Sequence, residues 1–542
     1  MQQIEPCDYV ALSYVWGKSA EAALCTKKYN VHALSIVGAL DLSSSLEHEA
    51  RKVSRTIIDA MPVVQTLGYR FLWVDALCIV QDDSEEKKRL IHGMDRVYEH
   101  ASLTIVATGM DADAGLHGVS PRETLPYESQ FTLLNKELKS YKVAISRPSL
   151  VNQVRKCHWN KRGWTYQEHC LSQRCLYFTA DEVFFSCKQF QWREGSALEQ
   201  FPSSKSSNLS FRTGSPWWND RIKVDPDPSP HLCLIDTSRN LSFEKYQFVV
   251  QEYCRRKLGH PKDILNAFQG IFNRFCGSAA SDDPWAGHAQ GLPPRFLPQA
   301  LLWHPLEGTT KRMCEPEPSG PNNKEFSSWS WASWSGPVDF VYSRNSGLDS
   351  TWDSRGFDLR DRIGSLIVEW QFPSSMSPTW KEARTVGKND VGKLGKAFHL
   401  EFETIDKIRS QGSRPIEAPS NDVVEFWAPA LLSNISFSRW KENLFNLDIE
   451  VSPSVSSGAA VSRRFRFDGP GEKQAALVAI MVSPGVISCI GVVRKDEKTF
   501  TRIGIGSIFC AGYYFSGGAL NYHVLRGLGL RTLWEIRLIR MC

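Results

Sequence analysis

Short apolar runs and helical stripes alternate through the first 110 residues of the chain. Tyr9 to Val15 reads YVALSYV and ends at Trp16-Gly17, which predicts a buried strand stopped by glycine. Thr56 to Leu67 carries apolar residues at Ile57, Ala60, Val64 and Leu67, with Gly68 beyond, a helix with a glycine stop whose first turns are disturbed by Pro62. Phe71 to Val74 (FLWV) predicts a second buried strand ending at Asp75. Asp83, with Glu86 three residues on, opens a helix whose stripe is Leu90, Met94, Val97, Tyr98 and Ala101. Ser102 to Ala107 (SLTIVA) is a third strand. Strand, helix, strand, helix, strand predicts a parallel sheet with helices packed on it.

The pattern then loosens. Leu116 to Asn160 is irregular, and after it Arg174 to Thr179 and Glu182 to Cys187 predict a hairpin around Ala180-Asp181. Residues 196–240 are rich in Ser, Pro and Asp and read as a linker. Residues 241–345 hold helical stripes over Phe243 to Leu258 and Pro261 to Phe275, then the tryptophan cluster Ser328 to Trp334. Residues 346–542 turn strand-like, at Leu366 to Phe372, Phe398 to Thr404, Val423 to Trp427, Arg463 to Phe467, Leu477 to Val482 and Val486 to Val493, an antiparallel β-rich region. The organisation expected is therefore a 1–195 α/β domain, a 196–240 linker, a 241–345 helical and Trp-rich region and a 346–542 β-rich region.

Composition narrows the function. The 542 residues are 42% hydrophobic and 23% charged, with a net charge of +5, too small and too spread for a nucleic-acid partner. The fourteen cysteines are scattered without a CxxC pair, which fits a reduced, cytoplasmic setting. No basic segment followed by an apolar run opens the chain, so no signal peptide is expected. Of two uncharged runs, Ala475 to Val493 is split by Ser483-Pro484-Gly485 and reads as a hairpin. Ile503 to Tyr522 carries five glycines and reads as strand, so no membrane span is expected.

The candidate chemistry centres on Arg162 to Glu168, RGWTYQE. Glu168 falls one helical turn after Trp164, so an acid can lie beside an apolar wall, which raises a carboxyl pKa and makes a usable acid or base. The plain alternative is a surface glutamate at a helix start. Ligands of open parallel sheets bind beyond the carboxyl ends of the strands, where Trp16-Gly17 and Asp75 fall. Gly17 would let a ligand approach the backbone and Asp75 could accept ribose hydrogen bonds; otherwise Gly17 turns the chain and Asp75 caps the turn after it.

Other motifs carry less. Cys78 has no histidine beside it and reads as buried packing. His158 and His169 with Cys157, Cys170 and Cys175 match no zinc spacing, so no metal is expected. Gly387 to Lys393 nearly fits a phosphate loop, but Leu394 stands where the hydroxyl is needed. Trp329 and Trp331 would share one strand face as a packed edge.

Four motifs then agree in order: Ala11 to Gly17 (ALSYVWG), Leu72 to Asp82 (LWVDALCIVQD), Met94 to Ala101 (MDRVYEHA) and Arg162 to Glu168. Together they resemble the fungal heterokaryon-incompatibility (HET) domain across Cys7 to Cys187. Thr56 to Ala60 and Asp111 to Val119 resemble its first helix and the loop after its third strand. The resemblance implies fungal non-self recognition ending in programmed cell death. The HET domain is in turn similar to the TIR domain, so the fold implied is TIR-like, flavodoxin-like α/β. Some TIR domains release nicotinamide from NAD with a glutamate four residues after a tryptophan, the spacing of Trp164 and Glu168. That makes Glu168 the candidate catalytic residue, with Trp16, Gly17, Asp75 and Trp164 at the substrate. NAD is then substrate, and no cofactor is implied. The alternative is a non-catalytic module acting by self-association, triggered by an unnamed protein partner.

Overall fold

The computed structural model describes residues 7–17, 23–40, 53–119, 130–134, 140–144, 148–187, 191–194, 243–276, 288, 290–293, 296–313, 326–340, 364–365, 369–374, 377–383, 424–431, 435–441, 444–449, 461–468, 476–483, 486–496, 499–510 and 534–541. The expected linker at 196–240, the strand at Phe398 to Thr404 and the loop at Gly387 to Lys393 lie outside them. The chain divides into two compact units. One is Met1–Arg239 with Arg256–Ile271, and the other is Asn240–Arg255 with Phe272–Cys542. The helical stretch read as part of a 241–345 region thus divides, its Arg256–Ile271 segment belonging to the first unit.

The first unit is built on strands β1 (Val10–Ser13), β2 (Leu72–Trp73), β3 (Leu103–Ala107), β4 (Arg174–Phe178), β5 (Val183–Cys187) and β6 (Gln191–Arg193). They form one sheet in the order β2-β1-β3-β4-β5-β6. The first four are mutually parallel and the last two antiparallel, so the sheet is mixed, α/β at one end and a hairpin meander at the other. Helices α1 (Arg55–Thr66), α2 (Ser84–His92), α3 (Met94–His100) and α4 (Trp164–Leu171) accompany it.

Both faces of β1 are covered, which is why its run is continuously apolar apart from Ser13. Successive side chains alternate between faces. Val10, Leu12 and Tyr14 pack with Ile57, Ala60 and Val64 of α1. Ala11 faces the other way, with Met94 and Tyr98 of α3 and Leu171 of α4. Ser13 shares the parity of Ala11, so its hydroxyl is delivered to the α4 side of the sheet.

Several elements differ from the sequence pattern. The stripe from Leu90 to Ala101 belongs to two helices, because the chain breaks at Gly93 while the apolar spacing carries through. Leu67, expected in the core, is 46% exposed beyond the end of α1. The irregular 116–160 region holds a hairpin, Gln130–Leu134 with Ser140–Ala144, and the helix Leu150–Lys156 capped by Ser149. The single helix expected over Pro261 to Phe275 is two 3-10 turns, Pro261–Ile264 and Asn266–Phe268, before an α-helix at Gln269–Cys276.

In the second unit, the tryptophan cluster is not a strand. Trp331–Ser333 is a 3-10 turn, because the Ser330 hydroxyl accepts from Ala332 N at 3.0 Å and captures the backbone. Trp329 and Trp331 are fully buried. The C-terminal region is β-rich as the pattern predicts. An 11-stranded, predominantly antiparallel sheet includes Glu369–Ser374, Val424–Leu431, Val461–Phe467, Ala476–Ser483, Val486–Arg494 and Phe500–Cys510. Among the described residues, no helix is long and apolar enough to cross a membrane.

Candidate functional site

The carboxyl ends of β1 and β2 and the buried helix α4 bring a set of ionisable groups together. From Thr165 to Leu171 every residue of α4 is buried, so a carboxylate on this helix has left bulk water whatever its direction. Glu168 is 6% exposed. The Ser13 hydroxyl donates to its Oε2, and Trp159 Nε1 donates to the Ser13 oxygen at 2.8 Å. Tyr98, whose hydroxyl reaches Leu12 O at 3.3 Å, also hydrogen-bonds the Glu168 carboxyl. Burial pushes the carboxyl up to about 7 from its ordinary 4.5. The Ser13 bond opposes the shift, the nearby Asp75 charge adds to it, and Arg162 opposes it.

Asp75 follows β2 after Val74 and is half-buried. Its Oδ1 accepts from its neighbour Ala76 N at 2.7 Å, and its Oδ2 from Trp16 Nε1 at 2.8 Å. Tyr14 also hydrogen-bonds the carboxyl. Loss of water raises it to about 6, against the pull of the Ala76, Trp16 and Tyr14 bonds and of Arg162. Burial likewise raises the Tyr14 phenol, with Asp75 and Glu168 adding to the shift, so it stays a neutral donor. Asp75 thus holds the turn behind it, and its charge acts on the Glu168 carboxyl.

Tyr14 and Trp16, the two side chains that hold Asp75, also line a small cleft with room for about one water, together with Leu24, Ser54, Ile57 and Ala76. The space lies against the supports of Asp75.

The remaining candidates fall as follows. Trp164 is half-buried against Ala11, Met94, Tyr98, Ala101 and Leu171, so it reaches Glu168's surroundings through Tyr98. The tryptophan in the hydrogen-bond chain to Glu168 is Trp159. Gly17 has φ +69°, and a Cβ there would lie 2.3 Å from Asp111 Cβ. The close approach Gly17 permits is therefore to the loop after β3. Cys78, expected to be buried, is exposed, because it ends the one-turn helix that Asp75 opens. His169 is buried with Nδ1 2.8 Å from the Tyr177 hydroxyl, and burial lowers its pKa to about 3, which keeps it neutral.

Sequence reasoning passed over Ser13, Tyr14, Tyr98, Trp159 and Arg162. One signal was available for Ser13: a lone hydroxyl inside an otherwise apolar strand has to find a partner.

An α/β domain with two carboxyls of raised pKa at the carboxyl ends of its parallel strands is the class that fold and site define. Residues 9–168 match the family described as heterokaryon incompatibility protein (HET), and the chain carries a fungal HET domain. The curated Heterokaryon incompatibility protein 6, OR allele, of Neurospora crassa is 28% identical over 198 residues, 31% of this chain. The chain spans about 28% of the length of that relative. No solved structure matches.

Proposed function

We propose that this chain acts in fungal heterokaryon incompatibility, and that its HET domain drives cell death by hydrolysing NAD or a related nucleotide at Glu168. The observation that carries the reading is the joining of Glu168 and Asp75 through shared neighbours. Both carboxyls act on Tyr14 and both feel Arg162, which supports reading them as one site. The order β2-β1-β3 of the parallel strands supports a TIR-like, flavodoxin-like arrangement, in which a ligand sits beyond the strand ends where the order reverses.

The chemistry follows from the charges. Nicotinamide leaves NAD as a neutral base, taking the electron pair of the C1′–N bond, so the leaving group needs no acid. Positive charge develops on the ribosyl carbon. The ionised Glu168 stabilises it and takes the proton from the water that forms the new C1′–O bond. Asp75 accepts from a ribose hydroxyl. Trp16 fixes Asp75, and Trp164 closes the apolar side. No metal is required for these steps.

Nicotinamide release by the full chain, wild type against Glu168→Ala, tests this. We expect release from wild type and a loss of at least about 100-fold in the variant. Absent release from wild type, or equal release from both, overturns it. Cell killing that survives Glu168→Gln would assign the output to self-association of the domain, with a partner protein as trigger.

A further inference from the structure

Two groups from one short stretch of chain meet at the Ser13 hydroxyl. Trp159, in the 3-10 turn Trp159–Lys161, donates to it through Nε1 at 2.8 Å. Glu168, in the middle of α4, accepts from it. Only Arg162 and Gly163 separate the turn from the helix. A hydroxyl that accepts from one element and donates to the other is served only while the angle between the two is fixed. Gly163, at the joint, supplies no side chain to cap α4 and fix that angle.

One side chain grips both elements. Arg256 lies far beyond residue 168, where the family match ends, in the Arg256–Ile271 segment of the first unit. On the turn, its Nη2 donates to Asn160 Oδ1 at 2.6 Å. At the joint, its Nη1 donates to the Arg162 carbonyl at 3.2 Å. On the helix, the same nitrogen reaches Thr165 Oγ1 at 3.4 Å, and the guanidinium stacks 4.4 Å over the Tyr166 ring. The Thr165 hydroxyl donates in turn to Trp159 O at 2.7 Å, which ties the first residue of the turn back to the helix. Backbone bonds seat the segment: Gly163 N donates to Lys257 O at 2.8 Å, and Lys257 N to Lys161 O at 2.6 Å. Leu258 closes on Gly163, where a Cβ would collide with it. A planar guanidinium can fork to several acceptors and stack on a ring at once, which a lysine ammonium cannot.

We propose that Arg256 is a positioning residue of the candidate site: it locks the Trp159 turn to α4 and so holds Glu168 on Ser13. The catalytic consequence rests on the hydrolase reading, whereas the placement rests on these contacts alone. The site is then completed by a residue outside the family-matched stretch.

The experiment uses the full chain as wild type, Arg256→Met and Arg256→Lys. The methionine keeps an unbranched stem and removes every donor. The Trp159 indole N–H signal in nuclear magnetic resonance, assigned by its loss in Trp159→Phe, reports the bond to Ser13. Amide hydrogen exchange compares α4 with β3. We expect Arg256→Met to move the indole signal upfield and to speed exchange in α4 by about 10-fold, while β3 stays protected. In nicotinamide release from NAD, the same variant loses about 10-fold in kcat with KM unchanged. Arg256→Lys falls between, and takes over the test if the methionine variant does not fold. Wild type that releases no nicotinamide overturns the hydrolase reading and leaves Arg256 to be judged by the indole signal and the exchange. An indole signal and α4 exchange at wild-type values overturn the proposal. So does loosening of β3 to the same degree as α4, which marks general destabilisation, or an unchanged kcat beside a displaced indole signal.

Discussion

Ser13 and Glu168, 155 positions apart, are joined side chain to side chain: the Ser13 hydroxyl donates to Glu168 Oε2. Trp159 donates to the same hydroxyl oxygen, so the serine relays between an indole and an acid. A strand's last residue thus opposes, by one hydrogen bond, the shift that burial imposes on a helix's central residue.

Ser13→Ala leaves Trp159 Nε1 and one Glu168 oxygen unpartnered in a buried setting. The expected loss is about 1–3 kcal/mol of stability, read by urea denaturation. Because the Ser13 bond holds the Glu168 carboxyl down, the variant's acid limb in any Glu168-dependent activity moves to higher pH. A profile that stays put removes Ser13 from the relay.

Glu168→Gln changes the pH dependence of stability in a direction that can be worked out. The folded chain keeps a proton on Glu168 up to about 7, whereas the unfolded chain releases it near 4.5. Folded protein binds more protons across that window, so wild-type stability falls as pH rises through it and levels off above it. Glutamine has no proton to lose. Thermal melts at pH 4.5 and pH 8 should show the variant gaining on wild type at the higher pH. Parallel curves would mean that Glu168 titrates normally.

Trp16→Phe keeps a flat ring but removes the donor 2.8 Å from Asp75 Oδ2. Since that bond lowers the Asp75 pKa, its loss moves the carboxyl above about 6. Stability drops by roughly 1 kcal/mol. Carboxyl chemical shifts of Asp75 followed through a pH titration report the move, and an unshifted midpoint contradicts it.

Gly17→Ala meets two obstacles together, a φ of +69° and Asp111 Cβ at 2.3 Å. We expect a loss of about 1–3 kcal/mol, measured by denaturant midpoint. A near-neutral result would show that the loop after β3 gives way freely.

The parts legible in the sequence are those written locally. β1, β2 and β3 announce themselves as apolar runs, and α4 by the spacing of Trp164 and Glu168. Asp83 was legible as a cap, and its side chain accepts from Glu86 N at 3.1 Å. The break at Gly93 was not, because hydrophobic spacing survives a one-residue kink. Nor was the turn at Trp331, where one serine hydroxyl outweighed an alternating pattern. The partners of Glu168 were hidden for a different reason. Ser13, Tyr98 and Trp159 come from three separate stretches, and no local periodicity encodes which of them meet.

The segment Arg256–Ile271 has a bearing on how this protein is taken apart. The family match stops at residue 168, but Arg256 buttresses Asn160, Arg162 and Tyr166, and Gly270 N donates to Gln167 beside Glu168. Ending the chain before Arg256 strips the acid-bearing helix of this outer bracket, so an inactive short fragment would speak to lost support and not to missing chemistry.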